Sequence, residues 1–223
     1  MLLVISLLEG YDGTMTTIIG LISQKGGVGK STLARAVARE AAANGLKVKL
    51  ADLDTQQGTS SNWHRRRLQA GVEPMFSVEA FKTAAQALRV SPEYDCLVLD
   101  GPARASAATL EIARQASIVV QPTGASADDL HPAVLTFHEL VREGVPVARL
   151  AFALCKIGTD AEEAEARAYI AQAGFHTLGG FIPERPAYRQ AQNQGFTITE
   201  TRFPQLNRRA DELLQSIVER VDG

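Results

Sequence analysis

The stretch Gln24-Lys25-Gly26-Gly27-Val28-Gly29-Lys30-Ser31-Thr32 places three glycines between two lysines and ends in two hydroxyls. Glycines let a backbone curl until successive N–H groups point inward, and a helix starting at Lys30 adds the positive end of its dipole. Together they make an anion cradle. Gly26, Gly27, Val28, Gly29, Lys30, Ser31 and Thr32 would wrap the phosphates of a nucleotide. Lys30 can reach the β- and γ-phosphates, and the Ser31 hydroxyl can ligate Mg²⁺. Lys25 is a second cation in the same loop, beyond what gripping the phosphates requires.

Carboxylates recur where such a cradle needs them. Asp52-Leu53-Asp54-Thr55-Gln56-Gln57 follows the apolar run Leu46–Ala51, and Asp100-Gly101-Pro102 closes the run Cys96–Leu99. Carboxylates at the C-terminal ends of strands lie at the binding edge of an open α/β sheet. Side-chain alternation would put Asp52 and Asp54 on one side of the chain. Asp95, at the head of its strand, is expected to be structural.

The elements that must position these groups alternate along the chain. Short apolar strands are expected at 18–23, 47–52, 75–78, 96–100, 117–121, 150–154 and near 177–179. Helices are expected at 30–43, 60–70, 83–90, 105–115, 127–142, 161–173, 187–192 and 205–221. Several strands are apolar nearly throughout, as in parallel sheets covered on both faces. In the last helix Leu206, Ala210, Leu213, Leu214, Ile217 and Val221 share one face. The pattern predicts an α/β, doubly wound, mostly parallel sheet with helices on both faces.

At 223 residues, with 45% hydrophobic and 22% charged residues, the chain fits one large domain with its own core. A net charge of −2 gives no global attraction to nucleic acid or membrane, so any such binding needs a local basic patch. Cys96 and Cys155 sit in apolar runs and read as reduced core residues; two isolated cysteines make no zinc motif. The four histidines lack ligand-like spacing and read as structural. The apolar segment Leu2–Leu8 is far shorter than the roughly 20 residues that span a bilayer. Residues 1–14 are expected to be an upstream start or flexible tail, with 15–223 forming one domain.

The loop, with Lys25 ahead of the glycines, is the deviant Walker A pattern, and the chain resembles the ParA/MinD family of ATPases. The resemblance runs from about residue 16 to the end. It is nearest to small single-domain ParA-type partition ATPases. It implies a P-loop NTPase fold, with ATP and Mg²⁺ as cofactors. Lys25 would reach across a homodimer to the nucleotide of the other subunit. Asp54 would orient the attacking water, Asp52 and Asp100 would support Mg²⁺ through water, and Asp100 would stand for Walker B. The expected catalytic set is Lys25, Lys30 and Asp54. Thr55 replaces the family's usual proline. Gly101 and Pro102 resemble the start of its second switch loop, and Gln121-Pro122-Thr123 resembles a segment shaping the dimer face. Phe181–Arg189 resembles the segment over the adenine, making Pro183 and Glu184 candidate base contacts.

The resemblance also implies non-specific DNA binding by an ATP dimer through basic residues in the C-terminal part. Arg185, Arg189, Arg208 and Arg209 are the candidates, while Arg65–Arg67 read as surface or intramolecular charges. A ParB-like or other small adaptor would stimulate hydrolysis and release the protein. A cytoplasmic, nucleoid-associated location without membrane contact follows. The alternatives are a MinD-like membrane-associated ATPase and an ATP-gated scaffold with little hydrolysis.

Overall fold

The computed structural model describes residues 16–102 and 107–222. Eight strands form the sheet: β1 (Thr17–Leu21), β2 (Val48–Asp52), β3 (Ser77–Ala80), β4 (Cys96–Asp100), β5 (Ile118–Thr123), β6 (Leu150–Ile157), β7 (His176–Thr177) and β8 (Ile182–Pro183). The helices among the described residues are α1 (Lys30–Ala43), α2 (Thr59–Gln69), α3 (Ala84–Arg89), α4 (Ala107–Gln115), α5 (Ala127–Arg142), α6 (Asp160–Gln172), α7 (Pro186–Asn193) and α8 (Pro204–Asp222).

The strand order is β3-β2-β4-β1-β5-β6-β7, with β8 pairing β6, and every pairing is parallel. Strands β2, β4 and β5 are buried along their whole length, which is why their sequences are largely apolar rather than strictly alternating. One layer of core, including Ile19, Leu33, Val37, Leu213 and Ile217, lies where α1 and α8 cover the sheet. The apolar stripe expected on the last helix faces this layer. The other layer is built by α3 to α6 and includes Ile112, Phe137, Phe152 and Ile170. There Phe137 packs between Phe152 and Phe175, with ring centroids 4.3 and 5.3 Å away. The expected doubly wound sandwich is the observed one.

Three local expectations shift. The third strand starts at Ser77 rather than Met75, because the Met75 N–H is taken by the Glu73 carboxylate at 2.7 Å instead of a strand neighbour. The late strand is His176–Thr177 rather than 177–179. The short β8 was not expected at all: two residues carry too little pattern to be read. Both cysteines are buried and free. Residues 1–15 and 103–106 lie outside the described residues, so the tail expected at 1–14, the first residues of the expected 105–115 helix and the continuation of the Gly101-Pro102 loop are not described.

Candidate functional site

Because β1 sits between strands reached by leftward and rightward crossovers, its C-terminal end faces the crevice where open parallel sheets bind ligands. The loop Gln24–Gly29 leaves that end and α1 begins at Lys30. Gly27 and Gly29 have φ of 76° and 119°, left-handed values that a side chain would strain, so the curl needs glycine at both positions. A Cβ on Gly29 would also come within 3.2 Å of the Cys155 Sγ. The Ser23 hydroxyl accepts from the Lys25 N–H and donates to the Lys25 carbonyl, both at 3.0 Å, and so braces the start of the loop.

Lys30 is buried and pairs with no carboxylate among the described residues. Lys25 is half exposed, and its ammonium is held by the Asp129 carboxylate in the first turn of α5. Ser126 donates a second hydrogen bond to Asp129 at 2.9 Å. The Asp129 contact raises the Lys25 pKa. Burial pushes the Asp129 carboxyl up, but the Lys25 and Ser126 hydrogen bonds outweigh it and hold the group below its ordinary value.

The acidic residues converge by register. Asp100 is the β4 partner of both Leu21 on β1 and Asp52 on β2, so the two carboxylates stand side by side beneath the loop. The oxygens of Asp52 are engaged. Oδ1 accepts from the Asp54 N–H at 3.2 Å, and Oδ2 accepts from the N–H groups of Ser60 and Ser61 at 3.0 and 2.9 Å and from the Ser61 hydroxyl at 3.0 Å. Asp52 thereby caps α2. Asp54 does not continue the strand alternation expected of it: β2 ends at Asp52, and Asp54 lies just before the turn at 55–57, half-buried, accepting from the Gln57 N–H at 3.2 Å.

Asp100 differs from Asp52. Its Oδ2 accepts from the Ser60 hydroxyl at 2.7 Å, but its buried Oδ1 has no hydrogen-bond partner. Burial pushes this carboxyl above its ordinary value and Asp52 adds to the effect, while the Ser60 and Ser31 hydroxyls and the Arg35 guanidinium oppose it. A buried, unpartnered carboxylate oxygen beside Ser31 is what a hydrated Mg²⁺ at this edge would use, so the residues present fit the metal.

A cavity of 120 Å³ opens beside the loop, lined by Gly27, Gly29, Thr32, Pro183, Glu184 and Gln192 among others. The structure therefore brings the two candidate base contacts to the phosphate loop. Lys156, on the same wall, is the one non-glycine residue with a left-handed φ (59°) among the described residues, at an irregularity in the β6–β8 pairing.

The four arginines do not form one cluster. Arg185 and Arg189 reach the nucleotide-side cavity. Arg208 lines a separate, larger hollow of 730 Å³ with Arg202, Phe203 and, again, Arg185. Arg209 lies over the Phe181 ring at 5.0 Å. All four are exposed, and none pairs with a carboxylate among the described residues. Arg67, by contrast, is fully buried and makes a two-pronged pair with Glu200 at 2.8 and 3.0 Å.

Sequence reasoning missed Asp129, Ser60, Arg35 and Gln192. Arg35 had a signal, a lone charge inside the small apolar run Leu33–Ala38 on α1. The others are brought in by tertiary contacts alone.

The model of the CobQ/CobB/MinD/ParA nucleotide binding domain matches residues 19–198. The chain belongs to this family. It is a ParA/MinD-type ATPase chain whose cofactors are ATP and Mg²⁺. Comparison with curated proteins finds no significant match. Among solved structures, the chain is similar to apo McdA from Cyanothece, at 16% identity and a TM-score of 0.69, covering 91% of this chain and 99% of that one. It is likewise similar to MinD from Pyrococcus horikoshii complexed with Mg-ADP, at 18% identity and a TM-score of 0.69, covering 93% and 96%. A third is a putative plasmid partition protein from Borrelia burgdorferi bound to AMPPNP, at 17% identity and a TM-score of 0.69, covering 92% and 99%. At these identities the likeness is one of fold. Among the described residues no helix is long and apolar enough to cross a membrane.

Proposed function

We propose that the chain is a cargo-positioning ATPase of the DNA-partition kind: an ATP-sandwich dimer that holds DNA non-specifically and lets go when a partner stimulates hydrolysis. One observation carries the nucleotide chemistry. At one edge of the sheet a buried cation, Lys30, pairs with no carboxylate among the described residues, and a buried carboxylate oxygen, Asp100 Oδ1, has no hydrogen-bond partner. A polyphosphate satisfies the first and a hydrated divalent cation the second.

In this reading each residue has a role. Gly26 to Gly29 offer backbone N–H groups to the phosphates, Lys30 neutralises the terminal ones, and Thr32, Pro183 and Glu184 border the base. Mg²⁺, when bound, offsets charge on the phosphate oxygens. Ser31 and Asp100 hold its shell, while Asp52 ties the Asp54 turn to α2 beside them. Asp54, half-buried and lightly held, orients the attacking water. Lys25 supplies a cation to the nucleotide of a second copy, as an arginine finger does in other NTPases. Residues 15–223 act as one domain.

The DNA reading rests on exposed arginines that pair with no carboxylate among the described residues. Arg185, Arg202 and Arg208 share one hollow, with Arg189 and Arg209 close to its surroundings in sequence. A dimer would double the patch. The protein would then sit in the cytoplasm on the nucleoid, with a ParB-like or other small adaptor as its hydrolysis partner.

The test is retention of duplex DNA with ATP, with ADP and without nucleotide, alongside the mass of the particle in each state. Retention only with ATP, by a dimer, is expected. Equal retention in all three states refutes the switch, and ATP-dependent dimers that ignore DNA refute the DNA role.

A further inference from the structure

Arg35 is 4% exposed on α1 and stands among fully or nearly fully buried small residues, where an apolar side chain would satisfy the packing. Its guanidinium lies 5.5 Å over the Trp63 ring. Its Nε donates to the Ser60 hydroxyl at 3.2 Å and its Nη1 donates to Gln192 Oε1 at 3.1 Å. The buried Nη2 has no hydrogen-bond partner. A buried arginine with an unsatisfied donor is costly, so fold stability alone is a poor reason for it.

The direction of the Ser60 hydrogen bond supplies a better one. An arginine Nε only donates. Ser60 therefore accepts from Arg35, and its single hydroxyl proton is left for Asp100 Oδ2, 2.7 Å away. That bond occupies Oδ2 and keeps Oδ1 as the free acceptor. The Ser60 N–H also donates to Asp52 at 3.0 Å, so one residue touches both carboxylates of the edge. On its other side Arg35 shares Gln192 Oε1 with the Thr32 hydroxyl, which donates at 3.1 Å, and Gln192 borders the cavity assigned to the base. The guanidinium is thus fixed between the metal edge and the nucleotide cavity.

We infer that Arg35 is a positioning residue for Mg²⁺·ATP, acting through the Ser60 hydroxyl to set which oxygen of Asp100 faces the metal. The inference rests on the assignment of Asp100 to the Mg²⁺ edge. Groups that orient metal-site ligands typically change metal affinity about 10–100-fold when removed. The signature is therefore a loss of the advantage that Mg²⁺ gives to nucleotide binding, with metal-free binding retained.

The experiment measures binding of a fluorescent ATP analogue by anisotropy, in Mg²⁺ and in EDTA, for the natural chain, Arg35→Met, Ser60→Ala and the double variant, with thermal melts of each. Both single variants are expected to lose about 10-fold or more of the Mg²⁺ enhancement. Affinity in EDTA should stay near the natural value, and the double variant should be no worse than the weaker single one. A natural Mg²⁺ enhancement in Ser60→Ala overturns the inference, as do losses that add in the double variant. If Arg35→Met melts too low to assay, Ser60→Ala decides alone. A natural chain that binds no nucleotide, with or without Mg²⁺, overturns the site assignment itself.

Discussion

The Lys25 ammonium is held by the Asp129 carboxylate of the same chain, which sits in the first turn of α5. The proposed sandwich needs this lysine on the nucleotide of a second copy, so the pairing at home competes with the pairing in trans. Asp129→Asn removes the competitor without moving the loop glycines. It should strengthen ATP-dependent dimerisation severalfold, measured by sedimentation at a series of concentrations. Lys25→Ala should keep ATP binding and lose the dimer, with hydrolysis down by about 10³-fold or more, as for an arginine finger. Unchanged turnover in Lys25→Ala sinks the sandwich, and unchanged dimerisation in Asp129→Asn shows that the internal pair is not a brake.

Among the described residues the Asp54 carboxylate accepts one hydrogen bond, from the Gln57 N–H, and stays accessible to a water near the loop. Asp54→Ala should slow hydrolysis by about 10²–10⁴-fold, the usual worth of a positioned base. ATP binding should persist, so the variant should accumulate a long-lived dimer. Single-turnover measurement with labelled ATP checks this, and normal turnover removes Asp54 from the chemistry.

The order of strand, glycine loop, helix and strand-end carboxylates is local, and it was enough to predict the sheet and the glycine turn between β1 and α1; a shared place for Asp52 and Asp100 was implied only by the family resemblance. Pairings set by tertiary packing were not legible. Nothing in the spacing of Lys25 and Asp129 links a loop after β1 to a helix after β5. The same holds for Ser60 beneath Asp100 and Gln192 beside Arg35. Arginines were read by number rather than by place. Arg209 meets Phe181, Arg67 is swallowed by the core, and Arg202 joins the hollow although it carried no special sequence pattern.

That regrouping makes the DNA prediction specific. Arg202→Ala with Arg208→Ala should weaken ATP-dependent DNA retention more than Arg209→Ala, which does not line that hollow. The salt dependence should flatten by about 0.9 in the log–log slope for each DNA phosphate that no longer meets a cation. Retention titrated against salt concentration measures both quantities. A slope unchanged in the Arg202/Arg208 variant moves the patch elsewhere.

The buried pair of Arg67 and Glu200 fixes α2, and with it Ser60, to the segment after α7. Arg67 also donates to the Gly195 carbonyl at 3.1 Å and to the Glu73 carbonyl at 2.9 Å, while Glu200 accepts from the Thr197 N–H at 2.8 Å. Burial pushes the Glu200 carboxyl up, but Arg67, Thr197 and Arg39 outweigh it and hold it below its ordinary value. A carboxyl lowered in the folded state adds stability that is complete above its unfolded pKa of about 4.3 and disappears as pH falls through the lower folded value. Glu200→Gln leaves Arg67 a buried cation with no carboxylate opposite it. Breaking such a pair costs about 3–5 kcal/mol, which for a chain of this size lowers Tm by roughly 10 °C at pH 7. The gap between natural and variant melts should hold from neutral pH down to about pH 4.3 and narrow below it. A gap that is constant into the acid range, or absent at pH 7, would mean that the pair does not anchor α2.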